Sequence, residues 1–245
     1  METTAFSADG AVHMMPNDLK DRLAVLEAYD IMDSPPEQMF DDITRLASYI
    51  CGTPIALITL LDASRQWFKS KVGLQPDSTP IEQAFCAHAI AQKDVLIVRD
   101  ASLDARFSAN PLVTSDPNIR FYAGAQLVTP DGVALGTLCA IDHVPRDLWP
   151  EQISALQALA RQVVHMLELR KAISDLKAAR AAKEDAERKV GMLESMIPLC
   201  SWCRKIRCDD DSWQTIETYI ERNSTSRVTH GICPTCVEVA MSNPA

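Results

Sequence analysis

Apolar residues recur along the first part of the chain in two rhythms, one of helices and one of strands. Leu19, Leu23 and Leu26 lie at helical spacing behind Asn17 and Asp18, either of which caps a helix by accepting from free backbone N–H groups. Pro35-Pro36 stops this run, and Phe40, Ile43, Leu46, Ala47 and Ile50 then line one face of a second helix, from about Glu37 to just before Gly52. PIALITLLD is nearly unbroken in apolar character, short for an independent helix and rich in Ile, which predicts a strand. Asp62 to Arg65 makes the turn and Gln66–Val72 reads as its partner, with Trp67 and Phe68 alternating across the sheet, one inward and one outward. A short helix (IEQAFCAHAIAQ), the strand VLIV and a polar loop from Asp100 to Asn118 follow, with Asp100 a candidate cap after VLIV. FYAGAQLVTP and VALGTLCAID flank Asp131-Gly132, a hairpin signal because both residues tolerate positive φ. This order predicts an antiparallel sheet with helices packed against it.

From Trp149-Pro150 a helical pattern runs to about Ile197, interrupted by Gly191 alone. Leu169, Leu176, Lys183, Val190 and Ile197 recur every seventh residue, with Ala172, Ala179, Ala186 and Leu193 three positions after the first four. That is a heptad seam, weakened by its alanines and lysine, and it leaves two readings: a parallel homodimer or a solvated spacer. The expected organisation is a tail at 1–16, a sensory domain at 17–168, a coiled-coil-like linker helix at 169–197 and a cysteine-rich module at 198–240.

The 245 residues are enough for one medium and one small domain, and the formal charge of −9 gives no electrostatic reason to expect a nucleic-acid partner. No basic segment leads into an apolar run at the start, and no stretch has the length to cross a bilayer, so a cytoplasmic protein without a membrane span is expected. In a reducing compartment the 8 cysteines are not expected to pair as disulfides. Cys51, Cys86 and Cys139 are scattered, whereas Cys200, Cys203, Cys208, Cys233 and Cys236 crowd together and mark a second module.

Three segments, PIALITLLDASRQWFKSKVGL, AFCAHAIAQKDVLIVRDASLDARFSANPLVTSDPNIRFYAGAQL and GVALGTLCAIDHVPR, resemble bacterial GAF domains attached to histidine kinases and diguanylate cyclases. The resemblance covers about residues 20–170. It implies an α+β fold: a six-stranded antiparallel sheet, flanking helices on one side and a small-molecule pocket on the other, with regulation more often than catalysis. The tail PLCSWCRKIRCDDDSWQTIETYIERNSTSRVTHGICPTC is similar to a short module at the ends of such signalling proteins, of the form CxxCKKIR, acidic residues and Trp, then SHGICPxC. Arg204 stands here for the usual Lys, Cys208 for a common acidic residue and Thr229 for Ser.

Cys200-x-x-Cys203 and Cys233-x-x-Cys236 are two knuckles, and two such turns complete the tetrahedral shell that Zn²⁺ favours. Trp213, Ile216, Tyr219 and Ile220 suggest a small helix between them that packs over the site. Arg204, Lys205 and Arg207 offset thiolate charge, and His230 is placed to replace a sulfur or hydrogen-bond one, leaving Cys208 as the spare thiol. Zinc is the expected ion, and thiols also suit an iron–sulfur cluster, haem or a redox dithiol. CxxCH, the sign of covalently attached haem, is absent.

Candidate ligand-binding residues in the GAF-like part are Trp67, Phe85, Cys86, His88, Arg106, Arg120, Tyr122 and Cys139. Arg106 and Arg120 bracket the polar loop and suit an anionic ligand, or are ordinary surface charges. Cys86 and Cys139 lie in apolar contexts where a free thiol is usually a small hydrophobe, and His88 reads as a surface or satisfied histidine. The NK…F…DE pattern of cyclic-nucleotide-binding GAF domains and the bilin-attachment Cys-His pair are absent, and the cysteine contexts do not match free methionine sulfoxide reductases. No kinase core, GGDEF or helix-turn-helix segment is visible. The expectation is therefore a non-catalytic regulator whose ligand is unidentified and whose output passes to a protein partner such as a signalling kinase. A thiol redox sensor or enzyme and a structural dimerisation scaffold are the alternatives.

Overall fold

The computed structural model describes the backbone of residues 16–194 and 196–242, and their side chains except 16–18, 193, 194 and 240. The expected tail lies outside the described residues apart from Pro16. The chain divides into two compact units between Lys177 and Ala178.

In the first unit, α1 (Pro16–Ala28) begins ahead of Asn17 and Asp18, whose backbone lies in its first turn and whose expected capping side chains lie outside the described ones. It ends before the prolines, in a turn where Asp30 and Asp33 take φ of 45° and 56°. Helix α2 (Gln38–Cys51) closes on Gly52 at φ 64°, the left-handed C-cap that a residue without Cβ adopts without strain. Its buried stripe is Phe40, Thr44, Ala47 and Cys51, rotated from the expected face, and Leu46 is exposed. Thr44 is buried because its hydroxyl is satisfied, donating to Phe40 O at 2.9 Å and lying 2.8 Å from Ser70 Oγ.

Strands β1 (Ile55–Leu61), β2 (Arg65–Val72), β3 (Ser78–Pro80), β4 (Leu96–Val98), β5 (Phe121–Val128) and β6 (Ala134–Asp142) form one antiparallel sheet, ordered β3-β2-β1-β6-β5-β4. The predicted helix after Pro80 is a 3₁₀ turn at Ile81–Gln83 and a short α3 (Phe85–Ala89), and the polar loop holds α4 (Pro111–Thr114). In the hairpin between β5 and β6 only Gly132 takes positive φ.

The period of two sends alternate residues of β1 to opposite faces. Ala56, Ile58 and Leu60 join Leu26, Phe40, Ala47, Leu156, Ala160 and Val163 in a layer with α1, α2 and α5 (Pro150–Glu194). Ile55, Leu57 and Leu61 join residues of α3, α4 and their loops in a second layer. Both faces are covered, so Trp67 and Phe68 are both buried, on opposite sides, and neither points outward. Beyond Leu167 no described side chain of α5 is buried, and Leu169, Ile173, Leu176 and Val190 are exposed. Leu193 of the heptad lies outside the described side chains.

The second unit holds a hairpin of β7 (Ile206–Arg207) and β8 (Trp213–Gln214), then α6 (Ile216–Asn223) and α7 (Pro234–Ser242). Trp213 is thus in a strand, not in the helix expected around it. Ile206 is the unit's single buried hydrophobic side chain among the described residues. Among the described residues no helix is long and apolar enough to cross a membrane.

Candidate functional site

The predicted ligand residues divide between places. Phe85, Cys86, Tyr122 and Cys139 come together under the sheet as a closed cluster with Phe107. The Phe85 and Phe107 rings stack at 4.1 Å and Tyr122 tilts against Phe85 at 5.2 Å. Tyr122 Oη donates to Cys86 Sγ at 3.2 Å, and Thr137 Oγ1 donates to the same sulfur at 3.0 Å while lying 3.1 Å from Thr59 Oγ1. Burial pushes the Cys86 thiol up, but hydrogen bonds from Cys139, Thr137, Thr59 and Tyr122 outweigh it and bring it to about 7. Burial and the neighbouring Cys86 push the Cys139 thiol well up. Space for the Tyr122 hydroxyl exists because residue 124 is glycine: a Cβ there would stand 2.2 Å from the oxygen.

Trp67 packs in the helix layer on the far face and does not reach this cluster, a correction that follows from the period of the strand. His88 is half-buried, edge-on to Phe107 at 4.8 Å, and burial, then Arg106, lowers its pKa; its Nδ1 is buried without a partner. The two expected anion-binding arginines have protein partners. Arg106 is paired with Asp104 at 2.7 Å, and Arg120 Nη1 donates to Val113 O at 2.9 Å and Ile119 O at 3.0 Å, anchoring the α4 loop. Asp100 accepts from Ser102 N at 3.0 Å, closing a turn as expected.

A group that the sequence reading missed lies on the helix face. Lys69 of β2 has a fully buried side chain whose Nζ donates to Ser34 Oγ at 2.8 Å, Pro35 O at 2.7 Å and Glu37 Oε1 at 2.7 Å, 5.1 Å from the Phe40 ring centre. Arg170 of α5 donates to the same Glu37 oxygen at 3.1 Å and to Asp30 O at 2.8 Å. Tyr29 donates to Glu168, two residues earlier on α5. Burial raises the Glu37 pKa, but the hydrogen bond and charge of Lys69, with the charge of Arg170, hold it below the ordinary value. The junction sits just after Leu167, where α5 leaves the core. A lysine within the buried run of β2 was the visible signal, because a buried ammonium requires a partner.

In the second unit the first CxxC forms a tight turn, and the second opens α7, with Cys233 just ahead of it and Cys236 inside it. Cys200 N donates to Lys205 O at 2.8 Å, Arg204 takes φ 61°, and Cys203 N approaches Cys200 Sγ at 3.5 Å. The backbone N–H groups of Cys203 and Trp202 lower the Cys200 thiol, and Cys236 does the same for Cys233. The donor chemistry of each pair fits a thiophilic ion. Among the described residues, however, no three Cys, His, Asp or Glu side chains gather to hold one. His230 Nε2 lies 4.0 Å from Glu217 of α6, and Cys208 accepts from Gln214 within the hairpin.

A family model described as GAF domain matches residues 35–167. A relative named cyclic di-GMP phosphodiesterase, from Pseudomonas aeruginosa, is 43% identical over 150 residues, covering 61% of this chain and 26% of its own length. The chain therefore spans about a quarter of the relative it matches. The GAF domain of an Acinetobacter phosphoenolpyruvate-protein phosphotransferase superposes with TM-score 0.48 at 18% identity, over 65% of this chain and 98% of that one. A domain of a putative two-component sensor histidine kinase protein from Sinorhizobium meliloti gives 0.47 at 18% identity, over 59% and 99%. The expectation of a non-catalytic chain does not stand, because the relative that shares this stretch bears the name of an enzyme.

Proposed function

The chain belongs to the GAF domain family, and from that premise we propose that it is a regulatory module whose sheet controls the helix α5. The observation that carries this reading is the shared carboxylate of Glu37. It ties a buried lysine of the sheet to an arginine of α5 at the point where the helix leaves the core. A shift of β2 alters the hold on Arg170 through Glu37, so the two states of the sheet bind α5 differently, as any signal requires. Lys69 acts here as a positioning residue.

The test is hydrogen exchange along α5 in the full chain with Lys69→Met, which removes the ammonium on β2. Faster exchange over residues 166–177, with β1 and β6 still protected, supports the relay; exchange unchanged over that stretch contradicts it.

The exposed seam of Leu169, Leu176 and Val190 supports a parallel homodimer through α5. The two CxxC motifs support a zinc site of Cys200, Cys203, Cys233 and Cys236, with the ion drawing the two pairs together. A unit with one buried hydrophobic side chain among its described residues has little core there, so bound zinc would supply folding stability. The output that we assign is the turnover of cyclic di-GMP, supported by the identity to the relative of that name. Incubating the full chain with cyclic di-GMP and following the linear dinucleotide distinguishes hydrolysis by this chain from control of a partner enzyme.

A further inference from the structure

On the helix side of the sheet, between the β4–β5 edge and α5, lies a cleft of about 220 Å³. Gln157, Ala160, Arg161 and Val164 form its α5 wall, because their spacing puts them on one face of the helix. Ala125 of β5 stands opposite, with Lys93 and Asp94 of the turn that leads into β4. Ala125, Ala160 and Val164 belong to the helix-side core, so the floor is apolar and shallow in side-chain volume. The turn that carries Lys93 is fixed to the sheet: Gln126 Nε2 of β5 donates to Ala89 O at 2.9 Å and to Gln92 O. The two polar rims are therefore held by different elements, one by the sheet edge and one by α5.

The cations on these rims differ from the others of the domain. From Arg65 to Arg170 every lysine and arginine except Lys93 and Arg161 meets a carboxylate or a backbone carbonyl. Lys93 and Arg161 are exposed and have no partner among the described residues. Carboxylates are not scarce in a chain of formal charge −9, so the exceptions call for a reason, and both line the same cleft from opposite walls. A guanidinium presents paired N–H donors that match two oxygens of a phosphate or carboxylate group, and an ammonium adds a compact second charge. Asp94, on the same wall as Lys93, offsets part of that charge, which suits a small anion and disfavours a polyanion.

We propose that this cleft binds a small oxyanion, a phosphate or carboxylate group, with Arg161 donating to two of its oxygens and Lys93 supplying the second charge. Bound between the rims, the anion ties α5 to the sheet edge ahead of the junction at Arg170. This consequence rests on the reading that the sheet controls α5, whereas the binding itself does not. Binding is read over residues 157–164 and the relay over 166–177, so the two fail separately.

The test is hydrogen exchange of the full chain titrated with inorganic phosphate, acetate or chloride at equal ionic strength and pH. Phosphate or acetate is expected to slow exchange saturably over residues 93–95 and 157–164, with chloride giving no such protection; the more effective of the two identifies the group that the site takes. Arg161→Gln and Lys93→Gln are each expected to raise the half-saturating concentration by about tenfold, the loss of one charge-assisted contact. Both are expected to keep the wild-type Tm in chloride, since neither side chain has a protein partner to lose. Arg161→Lys, which keeps the charge and loses the paired donors, is expected to fall between wild type and Arg161→Gln. Lys20→Gln, an exposed cation that does not line the cleft, is expected to leave the titration unchanged. The proposal is overturned if neither oxyanion protects these residues beyond chloride, or if the folded Arg161→Gln and Lys93→Gln proteins respond as the wild type does.

Discussion

Glycine at 124 and the thiol of Cys86 are parts of one arrangement, because the Tyr122 hydroxyl occupies the volume that a Cβ at 124 would take and donates to the Cys86 sulfur. Gly124→Ala must displace that hydroxyl or the strand, and is expected to cost about 1–3 kcal/mol in chemical denaturation. A neutral result would show that Tyr122 moves freely. Accessibility separates the thiols in the same way. Cys203, Cys233 and Cys236 are exposed, whereas Cys51, Cys86 and Cys139 are buried. In chelator-treated protein a thiol reagent is expected to modify the exposed three at once and the buried three only on unfolding; rapid modification of Cys86 would favour a redox sensor. Glu37 carries a pH dependence. Its folded-state pKa is held below the ordinary value, so the unfolded chain binds more protons in the interval between the two. The stability from the junction is therefore present above the ordinary carboxylate range and lost as pH falls through the folded-state value. The difference in denaturation midpoint between wild type and Glu37→Gln is expected to shrink from neutral pH into acid. The apolar settings of Cys86 and Cys139 already pointed to burial in the sequence. The hydrogen bonds that link Cys86 to Tyr122 and Thr137 were not legible, since they join residues far apart in the chain.

Among the elements, those with a clean period were legible: β1, β2, β5, β6 and the course of α5 all lie where alternation or helical spacing puts them. The failures have local causes. Strand β3 is the three residues Ser78–Pro80, too short for any alternation and ending in proline, so only its pairing with β2 identifies it. The face of α2 was misjudged because Thr44, polar by type, is satisfied by Phe40 O and Ser70 and so packs inward in place of Leu46. For α5 the pattern forecast an unpaired apolar stripe, and Leu169, Leu176 and Val190 are exposed. A dimer across this stripe would be disrupted by Leu176→Glu, which places like charges in the seam. Sedimentation of the wild type as a dimer and of the variant as a monomer is the expected outcome, and a monomeric wild type would remove the seam from the account.

The chain combines a sheet covered on both faces with a small unit in which Ile206 is the one buried hydrophobic residue among those described. Elemental analysis of protein purified without added metal is expected to find about one zinc per chain, lost in Cys233→Ser/Cys236→Ser, as a single tetrahedral thiolate site requires. Iron, or no metal, would replace that reading. At this scale the proposed regulation rests on the junction at Glu37, since the relay requires that sheet and helix be energetically coupled there. A double-mutant cycle of Lys69→Met and Arg170→Met, read by chemical denaturation, measures that coupling through their shared carboxylate. The account predicts an interaction energy of about 0.5–3 kcal/mol, and strictly additive effects would contradict it.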